Sequence, residues 1–172
     1  MKRLLKNMQT SVVNIVADTE NDDEMVDRLL KLRRLAINST DQAFSKVSTS
    51  ATNSTSSPPR TPDQMFSNAL RSAFAMGFKA RRSKPAEMIA KYLDKAMRKG
   101  QGESTDTDYD TTLTNVLELY RFSEDKDVFR TFYHRSLAKR LLLGKSASND
   151  FEINMLKKMK ESGLLIWLLN FC

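Results

Sequence analysis

Cysteine is almost absent from the sequence, because the only one, Cys172, is the last residue. A disulfide within the chain is therefore excluded, which suits a reducing compartment. Glycine and proline are also scarce, at five and four of 172 residues, so few positions offer the turns that a β-rich fold needs. Leucine, alanine, lysine, methionine and arginine are plentiful and favour helix. The composition predicts an all-α fold.

Long apolar segments are lacking too. The only strongly apolar run, from Leu164 to Phe171, is far shorter than the roughly 20 residues of a membrane-spanning helix. The first six residues, Met1–Lys6, do not form the apolar core of a signal peptide. We therefore expect no contact with a membrane, and we interpret the two glycosylation sequons at Asn38 and Asn53 as chance matches.

Residues that carry catalysis or bind metals are equally few. A zinc-binding RING requires several clustered cysteines and histidines, whereas this chain has one of each, His134 and Cys172. A ligase that forms a thioester needs a cysteine activated by its surroundings, and Cys172 stands among apolar residues. His134 lies beside Arg135 on a basic helical face, where we expect it to be solvated. We predict no catalytic residue, no metal site and no cofactor, and hence a protein that is not an enzyme.

Apolar residues recur at three- and four-residue steps in seven segments, which is the spacing of helices that bury one face. The first two segments run from Leu4 to Val16 and from Met25 to Ala36. A stretch rich in serine, threonine and proline, Ser45–Pro62, follows them and could not fill a core. Because such a segment cannot offset its ordering entropy, we predict a disordered insertion over residues 45–61.

The other five segments follow the insertion and also predict helices. Thr61 as N-cap, Pro62 and Gln64 make a helix-start pattern for the first of them, which extends to Phe78. The remaining four have their apolar stripes within residues 88–97, 113–120, 128–142 and 151–159. Short connections between these four favour antiparallel neighbours, which is the arrangement of a helical bundle.

Glycine and serine suggest where these last helices end and begin. Gly100 and Gly144 are expected to close two of them, because glycine readily adopts the backbone conformation of a helix C-terminus. Residues 101–108 are predicted to form a polar loop. Either Ser146 or Ser148 could cap the last helix.

Aromatic and methionine side chains at helical spacing are predicted to fill cores rather than to line a binding groove. The aromatic ones lie on one predicted helix, and the methionines are spread over several. They are Phe129, Phe132 and Tyr133, with Met65, Met76, Met88, Met97, Met155 and Met159.

Positive charge is concentrated in one part of the sequence. The residues between Arg71 and Lys99 carry the same net charge, +7, as the whole chain. Such a patch attracts acidic partners, with a steep dependence on salt. Its charged residues are the cations Arg71, Lys79, Arg81, Arg82, Lys84, Lys91, Lys95, Arg98 and Lys99, with the acids Glu87 and Asp94.

A basic helical module that binds nucleic acid is the alternative from another class of protein. The pair Lys139–Arg140 and the cluster of Arg81, Arg82 and Lys84 suggest it. A surface for single strands, however, interleaves its cations with aromatic side chains on which bases stack, and no such interleaving occurs here. We therefore do not favour a nucleic-acid partner, and a filter-binding titration at low salt would test the interpretation.

Three segments carry a resemblance to a known family. Lys84–Asp94, which reads KPAEMIAKYLD, resembles the segment that opens the four-helix bundle of cullins, the scaffolds of multisubunit ubiquitin ligases. Lys126–Leu142, which reads KDVFRTFYHRSLAKRLL, resembles the most recognisable cullin helix, and Gly144–Asp150, which reads GKSASND, is similar to the turn after it. The sequence of these segments is most similar to the fourth cullin subgroup, whose members pair with β-propeller adaptors.

The resemblance implies how the chain is organised. It is good from about Pro62 to Lys160 and looser before. The resemblance implies partial cullin-repeat helices in residues 1–44, an insertion in 45–61, the last cullin-repeat helix in 62–82 and a four-helix bundle in 83–162. Residues 163–172 form an apolar tail that departs from the family, and we interpret it as a frameshift, a retained intron or a misjoined exon.

The resemblance also implies a role. A complete cullin is several times longer, and we expect its adaptor-binding repeats, its RING-binding α/β region and its winged-helix region to be missing here. The implied function is that of a rigid scaffold in the cytoplasm and nucleus, which positions substrate and ubiquitin-loaded conjugating enzyme in ubiquitin-dependent degradation. The implied partners are a RING subunit, the conjugating enzyme and a β-propeller adaptor. The alternative within the family is a non-functional or competing fragment.

One site follows from the resemblance. It implies that the acidic tail of the conjugating enzyme binds in a basic canyon, part of which comes from the cations that end the first bundle helix. The corresponding positions here are Lys95, Arg98 and Lys99. The alternative is purely structural, because cations at a helix C-terminus complement the helix dipole by about 0.3–1 kcal/mol each without any partner.

Overall fold

The structure, a computed structural model, describes residues 2–45, 62–100, 102 and 105–161. Within these residues it contains α-helices and two short 3₁₀ turns and no strand, which confirms the all-α prediction. No helix in the described part of the chain is long and apolar enough to cross a membrane. The helices are α1 (Lys2–Ala17), α2 (Met25–Ser45), α3 (Pro62–Phe78), α4 (Lys84–Lys99), α5 (Asp106–Arg121), α6 (Lys126–Leu142) and α7 (Asn149–Glu161).

The two 3₁₀ turns are Asp22–Glu24, before α2, and Lys79–Arg81, before α4. The predicted insertion over residues 45–61 lies outside the described residues, except for Ser45, which ends α2. The apolar tail over residues 163–172, with Cys172, and the proposed N-cap Thr61 lie outside them too.

The chain divides into two compact units, residues 1–80 and residues 81–172. The first unit contains α1, α2 and α3, and α1 packs mainly against α3 and less extensively against α2. Its buried side chains in the described residues are all apolar. They are Met8, Val12, Val16, Met25, Val26, Leu29, Phe66, Leu70, Ala73, Phe74 and Phe78.

A single glycine allows α1 and α3 to approach closely. A Cβ atom at Gly77 would overlap Cγ1 of Val12 and lie 2.8 Å from its Cβ. Real side chains do not tolerate such distances, so any larger residue at this position would force the two helices apart. The aromatic rings of Phe74 and Phe78, in edge-to-face contact at 6.3 Å, flank the glycine.

The connection between α1 and α2 is organised by one carboxylate, that of Asp18. Its oxygens accept hydrogen bonds from the backbone N–H groups of Glu20 (3.2 Å) and Asn21 (3.3 Å) and pair with Arg28 Nη1 at 2.6 Å. The hydrogen bond from Arg28 is the largest of the influences that lower the pKa of Asp18 from 3.8 to about 2.

The second unit contains α4 to α7, with α4 packed mainly against α6. The C-terminal end of α4 contacts the first turn of α5 and the last turn of α6, and the start of α7 contacts that same turn of α6. Sequential helices therefore alternate in direction, as in an up-down-up-down bundle. The buried apolar residues include Ile89, Leu93 and Met97 of α4, Tyr133 of α6 and Met155 of α7.

The observed start of α5 differs in detail from the predicted loop, and that of α7 selects one of its two predicted caps. α5 begins at Asp106, inside the predicted loop over residues 101–108, because the Thr105 hydroxyl accepts a hydrogen bond from the backbone N–H of Asp108 at 3.2 Å and caps the helix. Of the two serines proposed to cap α7, Ser148 does so, since its hydroxyl accepts from the N–H of Asp150 at 3.2 Å. The Ser146 hydroxyl instead donates to the carboxylate of Glu152.

The prediction that all the aromatic and methionine stripes fill cores is partly wrong. Phe129 and Tyr133 are buried, but Phe132 is 37% exposed and Met76 is 49% exposed. Met88, Met97, Met155 and Met159 are buried as predicted, whereas the side chain of Met65 lies outside the described residues. Helical spacing alone could not separate the buried stripe from its neighbours, because α6 is apolar on more than one side: Leu141 and Leu142 are also exposed.

Candidate functional site

The three cations implied by the resemblance lie on the last two turns of α4. Lys95, Arg98 and Lys99 are exposed, and Arg98 and Lys99 occupy the final turn. We call these three residues the basic end of α4. The helix dipole places partial negative charge at this same end, so part of their effect is to stabilise the helix.

One member of the basic end has an ion-pair partner on its own helix. Arg98 Nε donates to Asp94 Oδ2 at 2.9 Å, one turn earlier. Lys95 and Lys99 have no ion pair with any residue that the structure describes. Among the described residues, this end of α4 therefore presents two ammonium groups without an ion pair and one guanidinium that is already engaged.

Two backbone carbonyls tie this end of α4 to other elements of the bundle. The carbonyl of Ala96 accepts a hydrogen bond from the Tyr109 hydroxyl of α5 at 3.0 Å. The carbonyl of Met97 accepts from the backbone N–H of Ala147, in the turn between α6 and α7, also at 3.0 Å. The Met97 carbonyl lies in the last turn of α4, where carbonyls lack a partner within the helix, so its contact with Ala147 satisfies a group that would otherwise need water. The Tyr109 hydroxyl is a second donor to the Ala96 carbonyl, which also accepts from the N–H of Gly100.

Gly100 closes α4, as predicted, with a backbone φ of +67° that favours glycine. Its N–H donates to the Ala96 carbonyl at 2.8 Å. A Cβ atom here would lie 2.9 Å from Cβ of Ala147, so the glycine also makes room for the α6–α7 turn.

A buried charge cluster lies directly behind the basic end. Arg140 of α6, with no exposed surface, donates to both oxygens of Glu152 of α7, from Nε at 2.7 Å and from Nη2 at 3.0 Å. Its remaining Nη1 pairs with Asp94 Oδ1 at 2.5 Å. The Ser146 hydroxyl donates to Glu152 Oε1 at 2.8 Å. We call Asp94, Arg140, Ser146 and Glu152 the charge cluster.

The charge on Arg140 is maintained although the side chain is buried. Burial acts against the charged form, but hydrogen bonds to Glu152 and then to Asp94 act the other way, and the net result is a raised pKa. The guanidinium also lies over the ring of Tyr133, with its Cζ 5.7 Å from the ring centroid. The cluster thus fixes three helices, α4, α6 and α7, relative to one another by oriented charge-assisted bonds.

The interpretation of Lys139 and Arg140 as a pair of surface cations that could contact nucleic acid is wrong for Arg140. Lys139 is exposed, but Arg140 is fully buried. No local spacing identifies the partners of Arg140, because Asp94 precedes it by 46 residues and Glu152 follows it by 12.

The basic stretch from Arg71 to Lys99 contributes to both units, and its own two acids pair with some of its cations. Arg71 and Lys79 belong to the first unit, and several cations of the second are neutralised within it. Glu87 pairs with Lys84 at 3.4 Å and Lys91 at 2.6 Å, and the hydrogen bond from Lys91 is the main cause of its lowered pKa. Part of the positive charge that the sequence concentrates is therefore paired with acids inside the second unit.

Other parts of the described surface provide weaker candidates for a binding site. An open recess of about 460 Å³ lies between α5 and α7, but the polar groups Asp110, Thr114 and Lys158 in and beside it pair with one another at 2.9 Å. His134 is exposed, as predicted. No group of three or more His, Cys, Asp or Glu side chains that could hold a metal ion occurs among the described residues.

The amino-acid sequence matches that of a known protein family over nearly its whole length. Residues 1–164 match the family model described as the cullin alpha solenoid domain. The chain is therefore an α-solenoid protein, in agreement with its helical architecture. Because the match covers nearly the whole chain, the chain belongs to the cullin family.

Individual relatives support the predicted likeness to the fourth cullin subgroup. Human Cullin-4A is 38% identical over 85% of this chain, and Cullin-4 of Dictyostelium discoideum is 27% identical over 93%. Cullin-3A of Arabidopsis thaliana is 40% identical over a shorter part, 57% of the chain. The chain spans only 17%, 18% and 13% of the length of these three relatives.

Proposed function

We propose that this chain is a non-catalytic scaffold segment of a cullin-RING ubiquitin ligase, which helps to hold substrate and ubiquitin-loaded conjugating enzyme at a fixed separation. Membership of the cullin family supports the proposal. So does the bundle itself, in which the end of α4 is fixed by two backbone contacts and by the pairing of Asp94 with Arg140. A scaffold acts by positioning, and rigid elements position their binding groups most accurately.

The observation that carries the proposal is the basic end of α4. Lys95, Arg98 and Lys99 are exposed at a helix end that is held by two backbone contacts and by the side-chain pair of Asp94 and Arg140. Such a surface attracts a flexible acidic segment and increases the rate of encounter, while weak individual contacts allow fast release. We therefore propose that it contributes to binding the acidic tail of a ubiquitin-conjugating enzyme.

The wider setting belongs to the same proposal. In an assembled ligase, the chain would act together with a RING subunit and a β-propeller adaptor, in the cytoplasm and nucleus. The surfaces that would bind the RING subunit and the adaptor are expected in other parts of the family's sequence, and none is proposed within the described residues.

A peptide titration tests the proposed site. A fluorescent ten-residue oligo-aspartate peptide is mixed with the 172-residue chain at about 0.1 M salt, where charges more than about 10 Å apart are largely screened. We expect binding that weakens as salt increases, and a loss of about tenfold or more when Arg98→Glu and Lys99→Glu are combined, because two attractive charges become repulsive.

The matched control reverses two exposed cations of α6, Arg135→Glu and Lys139→Glu, with the same change of net charge. We expect this control to weaken binding by less than about threefold, since its charges are not part of the basic end of α4. Equal losses in the two double variants would show that only net charge matters and would contradict the proposed site.

The two alternatives have their own tests. If the chain acts as a competing fragment, adding it to an active cullin-RING ligase should slow ubiquitin transfer, and the double charge reversal at Arg98 and Lys99 should relieve the inhibition. A nucleic-acid module should retain labelled oligonucleotides in a low-salt filter assay. The burial of Arg140 removes one of the cations on which that second alternative was based.

A further inference from the structure

Asp94 connects the buried charge cluster to the exposed basic end of α4. Its Oδ1 accepts from Arg140 Nη1 at 2.5 Å, and its Oδ2 accepts from Arg98 Nε at 2.9 Å. The Asp94 side chain is 20% exposed, between fully buried Arg140 and Arg98 at 36%. One carboxylate therefore has one oxygen directed to the core and the other to the binding surface.

Arg140 keeps Asp94 in this position. Both of its other donor groups are occupied by Glu152, so its Nη1 has one fixed direction. If Asp94 rotated away, the buried Nη1 group of Arg140 would lose its hydrogen-bond acceptor. Because a buried guanidinium that lacks a partner costs free energy, this rotation is unfavourable. Asp94 is thus a carboxylate fixed beside the cation that an acidic ligand would need.

We propose that Asp94 is a specificity-determining residue of the basic end of α4, where it acts as a built-in competitor for Arg98. An incoming carboxylate must displace Asp94 Oδ2 from Arg98 Nε or share the guanidinium with it. A ligand with one or two acidic groups gains little from that exchange, whereas a longer acidic segment also reaches Lys95 and Lys99, which have no ion pair within the described part of the chain. The inference rests on the function proposed above and deepens it.

The same helix provides a matched control. Glu87 precedes Asp94 by seven residues, which is about 10 Å along a helix and on the same face. It also pairs with two cations, Lys84 and Lys91, but has no hydrogen bond or ion pair with Arg98 or Arg140 in the described structure. Asp94→Asn and Glu87→Gln therefore change the net charge equally, but only Asp94→Asn releases Arg98.

The experiment measures the affinity of the full chain for oligo-aspartate peptides of three and ten residues, at about 0.1 M salt. Asp94→Asn retains an oxygen that can accept from Arg140, so we expect the fold to persist, as checked by circular dichroism. We expect this variant to bind the ten-residue peptide about fivefold more tightly, because one repulsive charge about 4 Å away is removed. The three-residue peptide should gain at least as much, and Glu87→Gln should change either affinity by less than about twofold.

A measurement on the unmodified chain covers the case in which Asp94→Asn does not fold. The Arg98 Nε–H resonance should shift when the ten-residue peptide is added, since its hydrogen-bond partner changes, whereas that of Arg140 should stay unchanged. An Arg98 signal that is indifferent to bound peptide would overturn the proposal.

The outcomes separate this inference from the function on which it rests. If the unmodified chain binds and the Arg98–Lys99 reversal abolishes binding, but Asp94→Asn is neutral or weaker, only the competitor role of Asp94 is wrong. Equal gains in Asp94→Asn and Glu87→Gln would also overturn it, because net charge would explain both. Binding by Asp94→Asn alone would support it strongly, and absence of binding by both forms would overturn the inference and the proposed site together.

Discussion

The two units of this molecule use different means to fix their helices. In the first unit, the described core is entirely apolar, and α1 and α3 meet where Gly77 lies against Val12. In the second, an apolar core is joined by a buried arginine and glutamate, Arg140 and Glu152. Apolar packing is non-directional, whereas a buried charge cluster requires particular partners at particular distances.

The difference indicates what the charge cluster is for. Replacement of a buried ion pair by apolar residues is often neutral or stabilising, so stability alone does not explain Arg140. The cluster does, however, fix the end of α4 against α6 and α7, where the basic end is exposed. We infer that the second unit uses buried charge to position a surface.

The largest effect should follow from removing Arg140. Arg140→Met leaves the buried Glu152 carboxylate without its cationic partner and Asp94 with half of its contacts, so we expect the free energy of unfolding of the second unit to fall by about 3–5 kcal/mol. Urea unfolding followed by circular dichroism would measure it. The control is Arg135→Met, at an exposed position on the same helix, for which we expect a change within about 0.5 kcal/mol. Similar losses in both variants would show that Arg140 has no special role.

An intermediate effect is expected at the close contact of the first unit. Gly77→Ala places a methyl group against Val12, and we expect a loss of about 1–3 kcal/mol even though alanine has the higher helix propensity. Combining it with Val12→Ala should recover part of that loss, because the smaller side chain makes room for the methyl group. Strictly additive losses in thermal or urea unfolding would mean that the two residues do not touch.

A smaller effect is expected from a single hydrogen bond at the end of α4. Tyr109→Phe removes the bond from its hydroxyl to the Ala96 carbonyl, and we expect a loss of about 0.5–1.5 kcal/mol from the free energy of unfolding. The raised pKa of Tyr109, caused first by burial, agrees with a hydroxyl that stays protonated as a donor. An unchanged amide exchange rate at Gly100 in the variant would show that this contact does not fix the helix end.

The smallest effect concerns Asp18, in the first unit. Its folded pKa of about 2 lies below the ordinary value of 3.8, so its contribution to stability is present above pH 4 and is lost as pH falls through 2. Carboxyl NMR should give this low pKa directly. In Arg28→Met the pKa should rise toward 3.8, whereas Arg34→Met, at an exposed site, should leave it unchanged.

Most of the fold could be predicted from the sequence, because a helix that buries one face leaves a local pattern of apolar residues at three- and four-residue steps. The apolar spacing located the helices of the described chain, and Gly100 and Gly144 lie at the ends predicted for α4 and α6. The predicted loop over residues 101–108 extends three residues into α5, which begins at Asp106, because the polar composition of this stretch does not show that Thr105 caps the helix.

The candidate site was predicted only in part. Lys95, Arg98 and Lys99 were found through the family resemblance, and their exposure agrees with a binding role without testing it. The charge cluster behind them could not be predicted, because Asp94, Arg140 and Glu152 meet only after three helices pack, and nothing in the local sequence distinguishes Arg140 from its exposed neighbour Lys139.

The most direct test of the scaffold role is a measurement of ubiquitin transfer. Residues 84–161 of this chain replace the matching segment of a full-length fourth-subgroup cullin, and the rate of ubiquitin chain formation is compared with and without Arg98→Glu and Lys99→Glu. We expect the unmodified chimera to be active and the double reversal to slow transfer by about tenfold at low salt, with a smaller effect as salt screens the charges. Equal rates for the two chimeras at low salt would contradict the assignment of the basic end of α4 to the conjugating enzyme.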